Sequence, residues 1–147
     1  MKVLKFLLIL FSVTLAMQSC ESSSSHIIKI DLQSETTIKP DVKDFIVTLY
    51  GYSPILADVE ATEIVSKKYK AKSLPHTIEL EIPADPASKI RGCKEVDKAN
   101  YYLSLKWDSN GDGKVGLGDI NIDYEKNFPK INIEAKEVQI INVRVID

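Results

Sequence analysis

Apolar residues in this chain recur at every second position, in one segment after another. Ile78, Leu80 and Ile82 alternate with Glu79 and Glu81, the pattern of a strand with one face on a core and the other in water. Ile28, Ile30 and Leu32 alternate with Lys29 and Asp31, Phe45, Val47 and Leu49 with Ile46 and Thr48. Tyr101, Leu103, Leu105 and Trp107 share one parity, Tyr102, Ser104 and Lys106 the other. Near the C-terminus Val138 and Ile140 hold one parity while Ile141, Val143 and Val145 hold the other. That switch predicts a bulge or a strand that changes sheets. No segment after residue 25 keeps a helical apolar stripe for three turns, and Ala84–Lys98 has room for a helical turn only. Turn chemistry separates the runs at Lys39-Pro40-Asp41, Gly51-Tyr52-Ser53-Pro54, Ser73-Leu74-Pro75 and Pro83-Ala84-Asp85-Pro86. Roughly seven short strands at this spacing predict an all-β fold, a single antiparallel β-sandwich of the immunoglobulin or transthyretin type. Ile78, Leu80, Ile82, Leu103, Leu105 and Trp107 are expected inside it.

One loop departs from ordinary turn chemistry. Asp108 to Asp119 reads D-S-N-G-D-G-K-V-G-L-G-D, and a D-x-N-x-D-G segment supplies the many oxygen ligands that a hard dication such as Ca²⁺ requires. Asp108, Asn110 and Asp112 fall at loop positions one, three and five. Lys114, at seven, offers its backbone carbonyl, and Gly113 sits where the turn needs a residue without a Cβ. Asp119, at twelve, is expected to close the site with both carboxylate oxygens. Gly116 at position nine has no ligand side chain, so water must serve there. A single loop with a missing ligand implies weak affinity, with Kd on the order of 10⁻⁴ to 10⁻³ M. Three carboxylates crowd within it against one lysine, an unfavourable arrangement without a cation. The alternative is an Asp/Asn/Gly-rich connection that never holds metal. The loop is EF-hand-like in sequence, and paired EF-hands and dockerin modules resemble it, but they carry two copies flanked by helices. Here Tyr101–Trp107 precedes it and Ile120, Ile122 and Tyr124 alternate after it, so it joins two strands.

The other end of the chain reads as an export signal. Lys2 and Lys5 precede an apolar run from Phe6 to Ala16, too short to span a bilayer and suited to the h-region of a signal peptide. Ser19-Cys20, followed by Glu21 and four serines, resembles a bacterial lipoprotein signal. Residues 1–19 are then removed, Cys20 becomes the lipidated first residue, and residues 20–25 form a Ser-rich tether to a domain over 26–147. The alternative is a plain secretory signal with Cys20 left as a thiol. Either way the protein is expected in the cell envelope, and the lipid anchor places it at the outer membrane, on the periplasmic or the surface face. Loss of Lys2 and Lys5 takes the net charge from −2 to −4, which gives no electrostatic case for binding nucleic acid. With Cys20 lipidated, no internal disulfide is expected, and Cys93 reads as an ordinary loop cysteine, with a reactive thiol beside Arg91 and Lys94 as the lesser alternative.

Catalytic patterns are thin. His26 and His76 lack the spacing partners of a zinc site. There is no G-x-S-x-G elbow, no S-x-x-K and no phosphate-cradling glycine loop. Glu79 and Glu81 share a strand face at a separation that could imitate a glycosidase pair, but a solvated strand face is by far the better account of them. The chain is therefore read as a non-enzyme. Tyr50, Tyr52, Tyr69 and Trp107 are candidates for an aromatic patch that takes a glycan or a protein, although Trp107, on the parity of Leu103 and Leu105, fits the core better.

From about Thr37 onward the chain resembles the YbaY-type bacterial lipoproteins, whose relatives include the YscW-type lipoproteins of type III secretion. The residues that carry the resemblance are Lys39-Pro40-Asp41-Val42 before a V-T-L-Y strand, then Ala57-Asp58 through Ala61. Leu74-Pro75-His76-Thr77, Asp85-Pro86-Ala87, Tyr101-Leu103-Ser104 and Gly118-Asp119 follow. Ile90–Val96 looks like a small insertion, and Tyr50-Gly51-Tyr52 stands where that family has an acidic tract. The resemblance implies a single β-sandwich on a lipid anchor, and bears on fold and location more than on activity; the chain as a whole is read as a module that works by binding. The alternative is a pilotin-like chaperone escorting an envelope or secretion protein and presenting a sheet edge for strand addition.

Overall fold

A computed structural model describes residues 24–56, 58–93 and 99–147. The signal segment 1–19, Cys20, Ala57 and Lys94 lie outside the described residues. Eight strands make two four-stranded sheets: β1 (His26–Gln33), β2 (Asp44–Tyr52), β3 (Thr62–Lys70), β4 (His76–Ile82), β5 (Asn100–Lys106), β6 (Ile120–Ile122), β7 (Lys130–Ile131) and β8 (Gln139–Val145). One sheet has the order β4-β1-β8-β6, the other β3-β2-β5-β7. The fold is all-β, two sheets packed face to face as a β-sandwich. In the described part of Ala84–Lys98, Ala87–Lys89 forms a 3₁₀ turn.

The period-two pattern decides which faces meet. Ile28, Ile30 and Leu32 of β1, and Ile78, Leu80 and Ile82 of β4, point inward and are buried. From the other sheet come Phe45, Val47 and Leu49 of β2, and Leu103 and Leu105 of β5 with Trp107 just past its end. Phe45 lies at the centre of an aromatic stack, its ring 4.4 Å from Trp107 and 5.8 Å from Tyr69. His76 meets Phe45 edge-on at 6.3 Å, a packing role.

One expectation is qualified and two are corrected. Most strand pairs are antiparallel, but β1 and β8 run parallel, with Ile30 opposite Gln139 and Gln33 opposite Asn142. A tight hairpin joins only antiparallel neighbours, and this pair is linked through all the intervening chain. The parity switch near the C-terminus is neither a bulge nor a change of sheet. Ile141 and Val143 face the core while Val138 and Ile140 face solvent, Ile140 being 52% exposed. The irregularity falls between β2 and β3 instead, where Ile64 is the extra residue between the pairs Leu49–Val65 and Tyr50–Glu63. Finally, the strand after the glycine-rich loop stops at Ile122, and Tyr124 lies exposed in the following turn.

The flank formed by β3 and β4 is latched. Tyr69 Oη donates to the Glu79 carbonyl at 2.7 Å, and Lys89 Nζ donates to the Ile64 carbonyl at 3.2 Å. Burial, reinforced by the Glu79 charge, pushes the Tyr69 phenol up to about 12, so it stays a donor at any physiological pH. Strand addition at this flank must displace these bonds. On the far side the edges are short, three residues in β6 and two in β7, which limits pairing with other chains.

Tyr101 is the exception to a satisfied interior. Its hydroxyl is buried without a hydrogen-bond partner among the described residues, and burial, followed by the Cys93 and Asp85 charges, pushes it up to about 12. Removing an unmatched buried polar group is close to neutral or favourable. Tyr101→Phe should therefore leave the urea midpoint unchanged or raise it, by up to about 1 kcal/mol; a clear loss would mean that the hydroxyl has a partner.

Candidate metal-binding loop

The Asp108–Asp119 loop leaves β5 and its Trp107 extension in one sheet and enters β6 in the other. It therefore joins two strands, across the sandwich. Its first half is a ladder of side chain to backbone turns. Asp108 accepts from Gly111 N (2.9 Å) and Gly113 N (3.0 Å), Asn110 Oδ1 from Asp112 N (2.9 Å), and Asp112 Oδ1 from Lys114 N (2.8 Å). Short Asx side chains bonding the backbone a few residues on are what fold such a segment tightly. Gly111 and Gly113 take φ of 77° and 85°, a region closed to most L-residues. The result keeps Asp108, Asn110 and Asp112 within one exposed turn. Each of their bonded oxygens retains a lone pair, and the donor set is all oxygen, which suits Ca²⁺ more than a thiophilic metal.

Asp119 is placed differently from its neighbours. It is 0% exposed and supports the loop from beneath. Its Oδ1 accepts from Ser109 N (2.7 Å), Asn110 N (3.1 Å) and Ser109 Oγ (3.3 Å), and its Oδ2 from Gly116 N (2.8 Å). Burial alone pushes this carboxyl up, but the N–H groups of Gly116, Asn110 and Ser109 outweigh it and hold the group below the usual carboxylate range. Oδ1 is saturated, so only Oδ2 has capacity for a cation. Among the described residues no cluster of three or more His, Cys, Asp or Glu side chains is arranged to hold a metal ion. The loop's oxygens include the amide of Asn110 and, at Lys114, a main-chain carbonyl.

Ser109 is the residue that sequence reasoning missed. Its hydroxyl accepts from Ile120 N at 2.9 Å, and its carbonyl accepts from both Asp41 N and Val42 N. The signal was faint: a small hydroxyl residue between two ligand positions. Ile146 completes the anchoring, accepting from Gly118 N and donating to the Asp119 carbonyl. The loop is thus tied to the β1–β2 connection and to the end of β8. Because β1 and β8 are parallel, this end lies about ten residues, or about 33 Å, from the start of β1.

The remaining candidates scatter. Tyr50 and Tyr52 lie on the outer face of β2 near Tyr102, while Tyr69 and Trp107 stack on Phe45, so the four do not form one patch. Trp107 fills the core, its Nε1 donating to the Val42 carbonyl at 2.6 Å. Glu79 and Glu81 are on the exposed face of β4, Glu79 beside Lys29 at 3.5 Å. His26 hydrogen-bonds the Ile133 carbonyl. Cys93 is half-buried against the core, and Arg91 is exposed. No described helix is long and apolar enough to cross a membrane. Neither a protein-family model nor a curated protein sequence matches the chain. Among solved structures, an alternative pilotin from the type II secretion system of Vibrio cholerae is distantly similar, with 16% identity over 82% of this chain and 98% of that one and a TM-score of 0.39.

Proposed function

We propose that the protein is a lipid-anchored module of the cell envelope that acts by binding, not by catalysis, and that its Asp108–Asp119 loop holds one structural Ca²⁺. The observation that carries the metal reading is the single exposed turn that gathers Asp108, Asn110 and Asp112. The Lys114 carbonyl and Asp119 Oδ2 complete the proposed ligand set. Bound cation would offset the crowding of carboxylates and fix the connection between the two sheets. The lipoprotein-like signal and the YbaY-type resemblance support the envelope location, with Cys20 as the anchor. On this reading the loop faces away from the membrane, because the tether enters at the opposite end of β1.

Calorimetry and thermal unfolding test the metal. At a hundredfold excess of Ca²⁺ over Kd, native-state binding should add about 2.7 kcal/mol to stability. Asp112→Ala should abolish that gain while leaving the EGTA midpoint nearly unchanged, since Asp112 is exposed. A midpoint indifferent to millimolar Ca²⁺ and to EGTA would reduce the loop to a polar connection. For the anchor, Cys20→Ser should release the protein from membranes and block labelling by palmitate. A pull-down from native membranes separates the glycan-binding reading from the chaperone alternative, in which one envelope or secretion protein is recovered in stoichiometric amount.

A further inference from the structure

The outer face of the β3-β2-β5-β7 sheet has a composition unlike the rest of the molecule. Strand register places three bands across it. At one end are Lys70 and Asp44, then Lys68, Ile46 and Lys106. In the middle are Ser66, Thr48 and Ser104, with Thr48 Oγ1 and Ser66 Oγ 2.9 Å apart. At the other end Tyr50 and Tyr102 face each other across the strands, with Glu63 and Lys130 flanking them. Tyr102 is the hub of that end. Its ring lies 5.4 Å from Tyr50, 6.0 Å from Tyr52 and 5.5 Å from Phe128, which is itself 55% exposed.

Cross-strand aromatic pairs stabilise a sheet, but that role calls for one pair, not four rings meeting on an exterior face beside an exposed Phe. Interlocked rings lose little conformational freedom on contact with a ligand, as binding surfaces require. Charge then selects the ligand. Lys68, Lys70, Lys106 and Lys130 stand against Asp44, Glu63 and Glu60, whose charge reaches Tyr102, a small positive excess in a chain whose net charge is −2. Asp44 lies 3.4 Å from Lys68 and 3.5 Å from Lys70 and is shared between them, while Lys106 and Lys130 have no ion-pair partner among the described residues. A ligand that fits must combine apolar ring faces, many hydroxyls and spaced negative charge.

We infer that this face binds an anionic polysaccharide, its sugar rings against the Tyr50–Tyr102–Phe128 cluster and its acidic groups on the lysine bands. An acidic polypeptide shares the charge but not the pyranose faces. Its usual route, strand addition beside a sheet, is obstructed at β3 by the Tyr69 and Lys89 latches. The inference deepens the binding-module reading without depending on calcium.

Isothermal titration of the full chain in detergent micelles with polygalacturonate tests it, with dextran as the neutral glycan and poly-glutamate as the charge control. Polygalacturonate should bind at least tenfold more tightly than either control. The Lys68→Glu/Lys106→Glu variant should weaken it at least tenfold. Phe128→Ala, at an exposed site that leaves the fold intact, should weaken it several-fold with an unchanged unfolding midpoint. Absence of polygalacturonate binding, equal binding of poly-glutamate, or indifference to Phe128→Ala would each overturn the inference. Calcium titration of the same protein is read separately, so failure here leaves the metal reading standing.

Discussion

Asp119→Ala should be among the most damaging single changes in this protein, even with no metal present. Alanine would leave the N–H groups of Ser109, Asn110 and Gly116 without their acceptor. Each unmatched buried donor costs about 1–3 kcal/mol. Water can reach the part-buried Asn110 and Gly116 groups, so the sum settles at about 3 kcal/mol or more. For a domain of this size that is a fall in Tm on the order of 10 °C. The comparison is Asp112→Ala in EGTA, which removes one exposed turn bond and should cost no more than about 0.5 kcal/mol. Equal losses from the two variants would show that Asp119 is no support for the loop.

Acid should act through the same carboxyl. Its folded-state value lies below the ordinary carboxylate range, so its contribution is fully present above about pH 4, the unfolded value. That contribution is lost as pH falls through the lower folded value. Asp119→Asn should therefore be destabilised at neutral pH and lose less further stability than the wild type below pH 4. Urea midpoints measured in EGTA across that window decide it.

Trp107→Ala should rival this loss. Truncating a buried Trp costs about 3–5 kcal/mol through lost transfer energy and the cavity left behind. Here the ring also stacks on Phe45 at 4.4 Å and ties the β1–β2 connection through the Val42 carbonyl. Trp107→Phe keeps a ring for the stack and should recover much of the loss, though not the bond. Because this is the only Trp in the chain, unfolding must be followed by circular dichroism. A loss under about 1 kcal/mol for Trp107→Ala would contradict its place at the core.

Where a strand has one dry face and one wet face, the sequence displayed it. Ile78, Leu80 and Ile82 alternate with glutamates because their neighbours across the sheet impose that division, and the six residues expected inside are all buried. β3 was hidden for the opposite reason. As an edge strand with a bulge at Ile64 it has little to bury, and its lysines and serine carry no period. β7, two residues long, is too short for any pattern. The parallel pairing of β1 with β8 is a property of neighbours more than a hundred residues apart, which no local window contains. In the candidate loop, the spacing that sets Asp108, Asn110 and Asp112 on one tight turn was legible. The burial of Asp119 was not, because it depends on Ser109 and Ile146 arriving from either side. The aromatic face likewise needed the register that brings Tyr102 opposite Tyr50.

The position of β8 also fixes when the molecule can exist. Among the described residues β6 has β8 as its only partner, and β1 relies on β8 for one of its two neighbours. A chain emerging N-terminus first, from a ribosome or through a translocation pore, therefore cannot complete the β4-β1-β8-β6 sheet until residues 139–145 are out. Pairing of such sequence separation is slow to form. Until then the nascent polypeptide lacks the strand that closes this sheet.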